Sequence, residues 1–189
     1  MPSKYLKDIL SIHQSEVYDT LLYFRVQTHD PLDKHHWPHR DSLDPCFRPY
    51  LEVLNQELGS MFQVAWSSQV EYMLGVRNSG YLDWSIRKVG ETLQDMIDVS
   101  LGAIFENSWA GHLPITRYLD GSFLAVSASG SNEGEVVLLI PAEPPDCVVK
   151  TNYDLVAFLE NMAVKFFPSN DILLVDFSSK KGVRSDTAD

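Results

Sequence analysis

LPITRYLDGSFLAVSASGSNEGEVVLLIP, residues 113–141, decides the fold class. Its three apolar runs, LPITRY, SFLAVSA and EVVLLIP, are separated by Asp120-Gly121 and by Gly130-Ser131-Asn132-Glu133-Gly134, both rich in turn-forming residues. Short turns between apolar runs of this length predict consecutive antiparallel strands. The segment SASGSNEG, residues 127–134, joins two strands instead of opening a helix, so no helix dipole stands behind it to hold a phosphate.

On the C-terminal side, NYDLVAFLENMAVKFF places Leu155, Phe158, Leu159, Met162 and Phe166 on one helical face. ILLVDF follows as a last short apolar element, and the tail 179–189 is small, polar and charged, as frayed termini are. On the N-terminal side, Leu82, Ile86, Val89, Leu93, Ile97, Leu101 and Ile104 keep helical spacing after an Asn78-Ser79-Gly80 turn. Before that turn, Phe62, Val64 and Trp66 alternate, as do Val70, Tyr72, Leu74 and Val76, which predicts a hairpin connected through Ser67, Ser68 and Gln69.

A helix is expected over the stripe Phe47, Tyr50, Leu51, Leu54 and Leu58, ended by Gly59. Four prolines make 27–49 an irregular excursion, and Leu6, Leu10, His13, Val17, Leu21 and Phe24 predict an amphipathic helix over 3–25. The expected fold class is α+β, a mostly antiparallel sheet flanked by helices. It reads as one domain over 1–178, with a core at 109–167, a helical elaboration at 1–60 and a flexible tail.

Composition narrows the function. With 26 acidic and 15 basic residues, the formal charge of -11 repels polyphosphate, which argues against nucleic acid as a partner. The same charge suits either solubility or the attraction of a basic partner. Cys46 and Cys147 form no CxxC pattern and read as reduced thiols, and no run approaches the ~20 apolar residues of a membrane span, so a cytoplasmic protein without a membrane partner is expected.

HDPLDKHHWPHRD, residues 29–41, gathers four of the six histidines with Asp30, Asp33 and Asp41. HHWPH matches neither the i,i+4 pair of HExxH nor a CxxC knuckle, so no metal or other cofactor is expected there. A metal-dependent hydrolase using this loop stays as an alternative, one that lacks a general base at a recognisable spacing. Trp37 and Arg40 are residue types enriched at binding hot spots, although for Trp37 alone cover of the domain's own core is the favoured explanation. No GxSxG elbow, GxxxxGK[ST] loop or GxGxxG fingerprint occurs, and the expectation is a protein that is not an enzyme.

Residues 109–162 resemble the core of the SUKH superfamily, which includes a fungal regulator of cell-wall glucan synthesis and many bacterial immunity proteins. The resemblance rests on Leu113-Pro114-Ile115, the Asp120-Gly121 turn, the strand Phe123 to Val126, Gly134-Glu135-Val136, and the helix carrying Tyr153 and Phe158-Leu159. His112 and the strand LAVSAS depart from the family pattern, and residues 1–80 do not carry it, so the chain resembles a divergent member.

What the resemblance implies is binding: an immunity protein that masks the active site of a cognate toxin, of nuclease type, with a basic surface. The regulatory adaptor of signalling or cell-wall synthesis is the alternative. The expected partner-binding residues are Asp120, Glu133, Glu135, Glu143 and Asp146, with Trp37 and Arg40. A similar order of elements occurs in profilin-like and roadblock-like modules, which are also binding platforms.

Overall fold

Two antiparallel sheets, among the described residues one open on a face and one covered on both, account for the two kinds of strand pattern. The computed structural model describes residues 21–38, 41–68, 79–102, 109–141 and 147–164. Strands β1 (Leu21–His29), β2 (Met61–Ser68) and β3 (Ser79–Ser85) form the first sheet in that order, and β4 (His112–Arg117), β5 (Phe123–Ser127), β6 (Glu135–Leu139) and β7 (Val148–Asp154) form the second. Helices α1 (Arg48–Leu58), α2 (Val89–Gly102) and α3 (Leu155–Val164), with the short 3-10 turns Lys34–His36 and Pro45–Phe47, complete the described elements, so the α+β reading holds.

The second sheet is layered between helices. Leu124, Val126, Val136 and Leu138 face a core built with Leu51, Leu54 and Leu58 of α1 and Leu155, Phe158 and Leu159 of α3. Phe123, Ala125, Val137 and Leu139 point the other way, onto Met96 of α2 and Trp109. Coverage on both faces is why FLAVS and EVVLL are nearly continuous apolar runs, as buried strands require. Each such side chain withdrawn from water contributes about 1.5–3 kcal/mol before entropy is counted.

The first sheet alternates, and among the described residues only one of its faces is covered. Phe62, Val64, Leu82 and Trp84 join the core with α1 and α3. Gln63, Ala65, Tyr81 and Asp83 occupy the other face. The register pairs Val64 with Leu82 and Gln63 with Asp83, so polar meets polar and apolar meets apolar across the ladder.

The sheets abut at β3 and β4 without sharing a backbone ladder. Pro114 has no N–H to offer, and the β4–β5 register shifts between Pro114 and Thr116, both marks of an edge strand. Side chains bridge the seam instead: Asp83 N donates to Thr116 Oγ1 (3.1 Å) and Tyr81 Oη donates to the Arg117 carbonyl (2.7 Å).

Four sequence expectations need correction. Leu82 and Ile86, taken as helical, belong respectively to β3 and the turn after it, and α2 begins only at Val89. Leu82, Trp84 and Ile86 are all buried; an i,i+4 pair shares a face in a strand as it does in a helix, so the spacing alone did not discriminate. Ser67 and Ser68 are strand residues pairing with β3 and β1, not a connection.

Residues 21–25, the end of the first expected helix, and 27–29, the start of the irregular excursion, are β1, because pairing with β2 outweighs local periodicity. Lastly, β7 was missed: Asn152 and Tyr153 precede α3 as strand. Asn152 adopts φ 59°, its N–H held by Glu135 Oε1 (2.8 Å), and Asp154 caps the helix by accepting from Ala157 N (2.8 Å). The expected elements at 3–20, with His13, and the second hairpin strand at 70–76 lie outside the described residues, as do ILLVDF and the tail 179–189.

Candidate protein-binding face

The histidine loop folds back on α1. Asp33 caps the short 3-10 turn Lys34–His36 by accepting from His35 N (2.8 Å), and that hydrogen bond holds its carboxyl below the usual carboxylate range. Asn55 of α1 clamps Leu32 at both ends, accepting from its N–H (2.9 Å) and donating to its carbonyl (2.9 Å). Trp37 Nε1 donates to the same carbonyl (3.0 Å), and the indole packs half-buried against the core. Trp37 therefore holds the loop to the helix. Among the described residues no three His, Cys, Asp or Glu side chains are grouped to hold a metal ion; His39 and Arg40 lie outside those residues.

The expected acidic residues fall at opposite ends of the second sheet. Asp120 sits in the β4–β5 turn, where its Oδ1 accepts from Ser122 N (2.9 Å) and Ser122 Oγ (2.6 Å). Glu133 and Glu135 lie beyond the far end of β5, roughly 17 Å or more away at ~3.3 Å per residue. Glu135 carries the Asn152 backbone at the β6–β7 irregularity. Glu143 and Asp146 are outside the described residues. Asp120 is thus not in one patch with Glu133 and Glu135.

Glu133 belongs to a small cluster at the N-terminus of α1. The Tyr50 hydroxyl is raised above its ordinary value by burial and by the Glu133 charge. Burial and the neighbouring Asp44 push the Cys46 thiol up to about 11. That makes Cys46 a poor nucleophile near neutrality. The expected result is slow alkylation of native protein at pH 7.5, accelerating as pH climbs toward 11 and faster at a given pH in Asp44→Asn; fast labelling at pH 7.5 would contradict the assignment. His112 is buried as well, and its Nδ1 donates to the Trp109 carbonyl (3.1 Å), while burial lowers its pKa and keeps the neutral ring favoured.

The residues that do come together around open surface are ones the sequence reading passed over. The uncovered face of the first sheet presents Arg25, Gln27, Gln63, Ala65, Tyr81 and Asp83 around a shallow depression of about 260 Å³. Gln63 Nε2 donates to Asp83 Oδ1 (2.7 Å), and Lys88 lies 4.0 Å from the same carboxylate. Alternation puts this face on the side of the sheets that α2 occupies. Arg117 of β4, whose carbonyl accepts from Tyr81 Oη, bonds Asp95 of α2 through its guanidinium (2.9 Å), which lies 5.8 Å from the Phe123 ring centroid.

Comparison with known protein families, with curated proteins and with solved structures finds no match.

Charges of both signs border this face, Arg25 and Lys88 among them. Asp83 lies on it, Asp120 and Asp83 both raise the Tyr81 hydroxyl after burial, and Glu91, Asp95 and Asp98 line the exposed side of α2. Ion pairs at Lys88 and Arg117 are exposed and contribute little to stability, so the charges remain accessible to an incoming surface. The signal in the sequence is the alternation of Tyr81 and Asp83 with the apolar Leu82 and Trp84, beside Gln63 in the neighbouring strand, hidden because residues 82–86 also satisfy a helical period.

No helix among the described residues is long and apolar enough to cross a membrane.

Proposed function

We propose that the protein acts by binding another protein, as an immunity-type inhibitor that docks on a toxin of nuclease type and masks its basic active site. The observation that carries this reading is the face of the first sheet that is open among the described residues, carrying Asp83 and bordered by Asp120, beside a second sheet whose faces are both covered. A nuclease presents cationic groups to its substrate, and carboxylates on a pre-formed scaffold compete for those groups and speed association. The net charge of -11 and the resemblance of residues 109–162 to the SUKH core support the same reading. On this reading the protein works in the cytoplasm and needs no cofactor.

The test is capture of partners from the native lysate on the tagged chain at low and high salt, followed by assay of the retained protein. The expected result is a basic protein with nuclease activity, silenced by an equimolar amount of the chain, eluted by salt and held less well by Asp83→Lys. Recovery of signalling or cell-wall proteins alone, insensitive to salt and to that substitution, would replace the inhibitor with the regulatory adaptor.

A further inference from the structure

Leu119 is 97% exposed, at the tip of the β4–β5 turn. Isolated apolar residues are common on protein surfaces and by themselves mean nothing. Three features set this one apart. The turn is held by Tyr118 N donating to Ser122 O (2.8 Å), Gly121 N donating to Tyr118 O (3.1 Å), and both Ser122 donors on Asp120 Oδ1, so the tip is rigid. Its neighbour Tyr118 is buried at 4% exposure and packs edge-on against Tyr81 (ring centroids 5.5 Å), yet Leu119 takes no share in that packing. The Tyr81 hydroxyl, which borders the open sheet face, lies beside the Leu119 backbone and within reach of the Asp120 and Asp83 charges and of Arg117, whose guanidinium is already paired with Asp95 (2.9 Å).

We infer that Leu119 is the anchor of the binding face, inserted into an apolar pocket of the partner whose rim is basic. The inference rests on the protein-binding reading above and names the chemistry of that partner. A rigid apolar knob loses little entropy on insertion, and exclusion of water around it strengthens ion pairs made by the flanking Asp120 and Asp83. An apolar residue flanked by carboxylates fits a cavity edged by lysine or arginine and is rejected by an acidic rim.

The experiment compares the wild-type chain with Leu119→Ala, Leu119→Asp and Val156→Ala in affinity for the basic protein retained at low salt. Val156, 47% exposed on α3, whose buried residues pack on the covered side of the first sheet, away from its open face, is the control. Leu119→Ala is expected to weaken binding by roughly 30-fold or more, Leu119→Asp to abolish it, and Val156→Ala to leave it unchanged, with unfolding midpoints unaltered. Binding that survives both Leu119 substitutions overturns the anchor while the inhibitor reading stands. A wild-type chain that retains no basic partner overturns both. A wild-type dimer that Leu119→Asp converts to monomer, seen by sedimentation, overturns the basic pocket in favour of a second copy of the chain.

Discussion

Gly59→Ala is expected to destabilise the fold by more than about 4 kcal/mol. Gly59 joins α1 to β2 at φ 76°, ψ -172°, a region of backbone space that side chains other than glycine's scarcely enter. A Cβ built there would stand 2.0 Å from the His29 carbonyl oxygen at the end of β1. That atom is backbone, fixed by the β1–β2 ladder that pairs His29 with Met61, so relief requires opening the sheet edge. Backbone strain of ~1–3 kcal/mol combined with the clash should exceed about 4 kcal/mol, a large part of the 5–15 kcal/mol typical of a whole domain.

The comparison is Gly130→Ala. Gly130 has φ 84° with nothing within 4 Å of the added carbon, so only the strain remains there. Urea denaturation of both variants separates the two terms. Equal losses would show that the close approach to His29 carries no weight.

Trp84→Ala is expected to cost about 3–5 kcal/mol, the range for removing a buried aromatic side chain. The indole is 1% exposed within the core shared by both sheets, and its Nε1 donates to the Gly59 carbonyl (3.0 Å). Deletion opens a cavity and also leaves that carbonyl without its partner. Trp84→Phe keeps much of the volume and loses the hydrogen bond, so a smaller loss is expected, of order 1–2 kcal/mol. Denaturant midpoints for the pair test this, and a Trp84→Ala loss under about 1 kcal/mol would mean the site is not packed as described. Gly59 and Trp84 hold one junction, so their substitutions should not be additive.

That junction shows how far the sequence could be followed. Gly59 was legible as a helix terminator, because a glycine after an apolar stripe is the usual helix end. Its second duty, letting the β1 carbonyl within contact distance, depends on a strand that the sequence reading took for the end of a helix and the start of a loop. Trp84 was absent from the expected stripe altogether, since Leu82 and Ile86 on either side satisfied a helical period that steps over it.

The site was less legible than the fold. Asp120 and Glu133 both occupy glycine-containing turns and look equivalent as sequence, yet one strand separates them and places them at opposite ends of the sheet. Trp37 and the histidine loop stood out by composition, but Asn55, 23 residues from Leu32, determines that the loop lies on α1. Gln63, Tyr81 and Asp83 carry no motif. They form a face only because β2 and β3 pair in a register that aligns them.

By itself, the sequence determined the local elements whose period admits one reading: β4, β5 and β6 with their turns, α1 with its terminating glycine, and the α+β class. These follow from side-chain periodicity and turn chemistry, which act over a few residues. Only the tertiary structure decided that residues 21–29 and 79–85 are strands, that Leu119 stands clear of its own core, and which sheet face is left open. Those outcomes depend on pairings between segments tens of residues apart, and local propensity is too weak to oppose them.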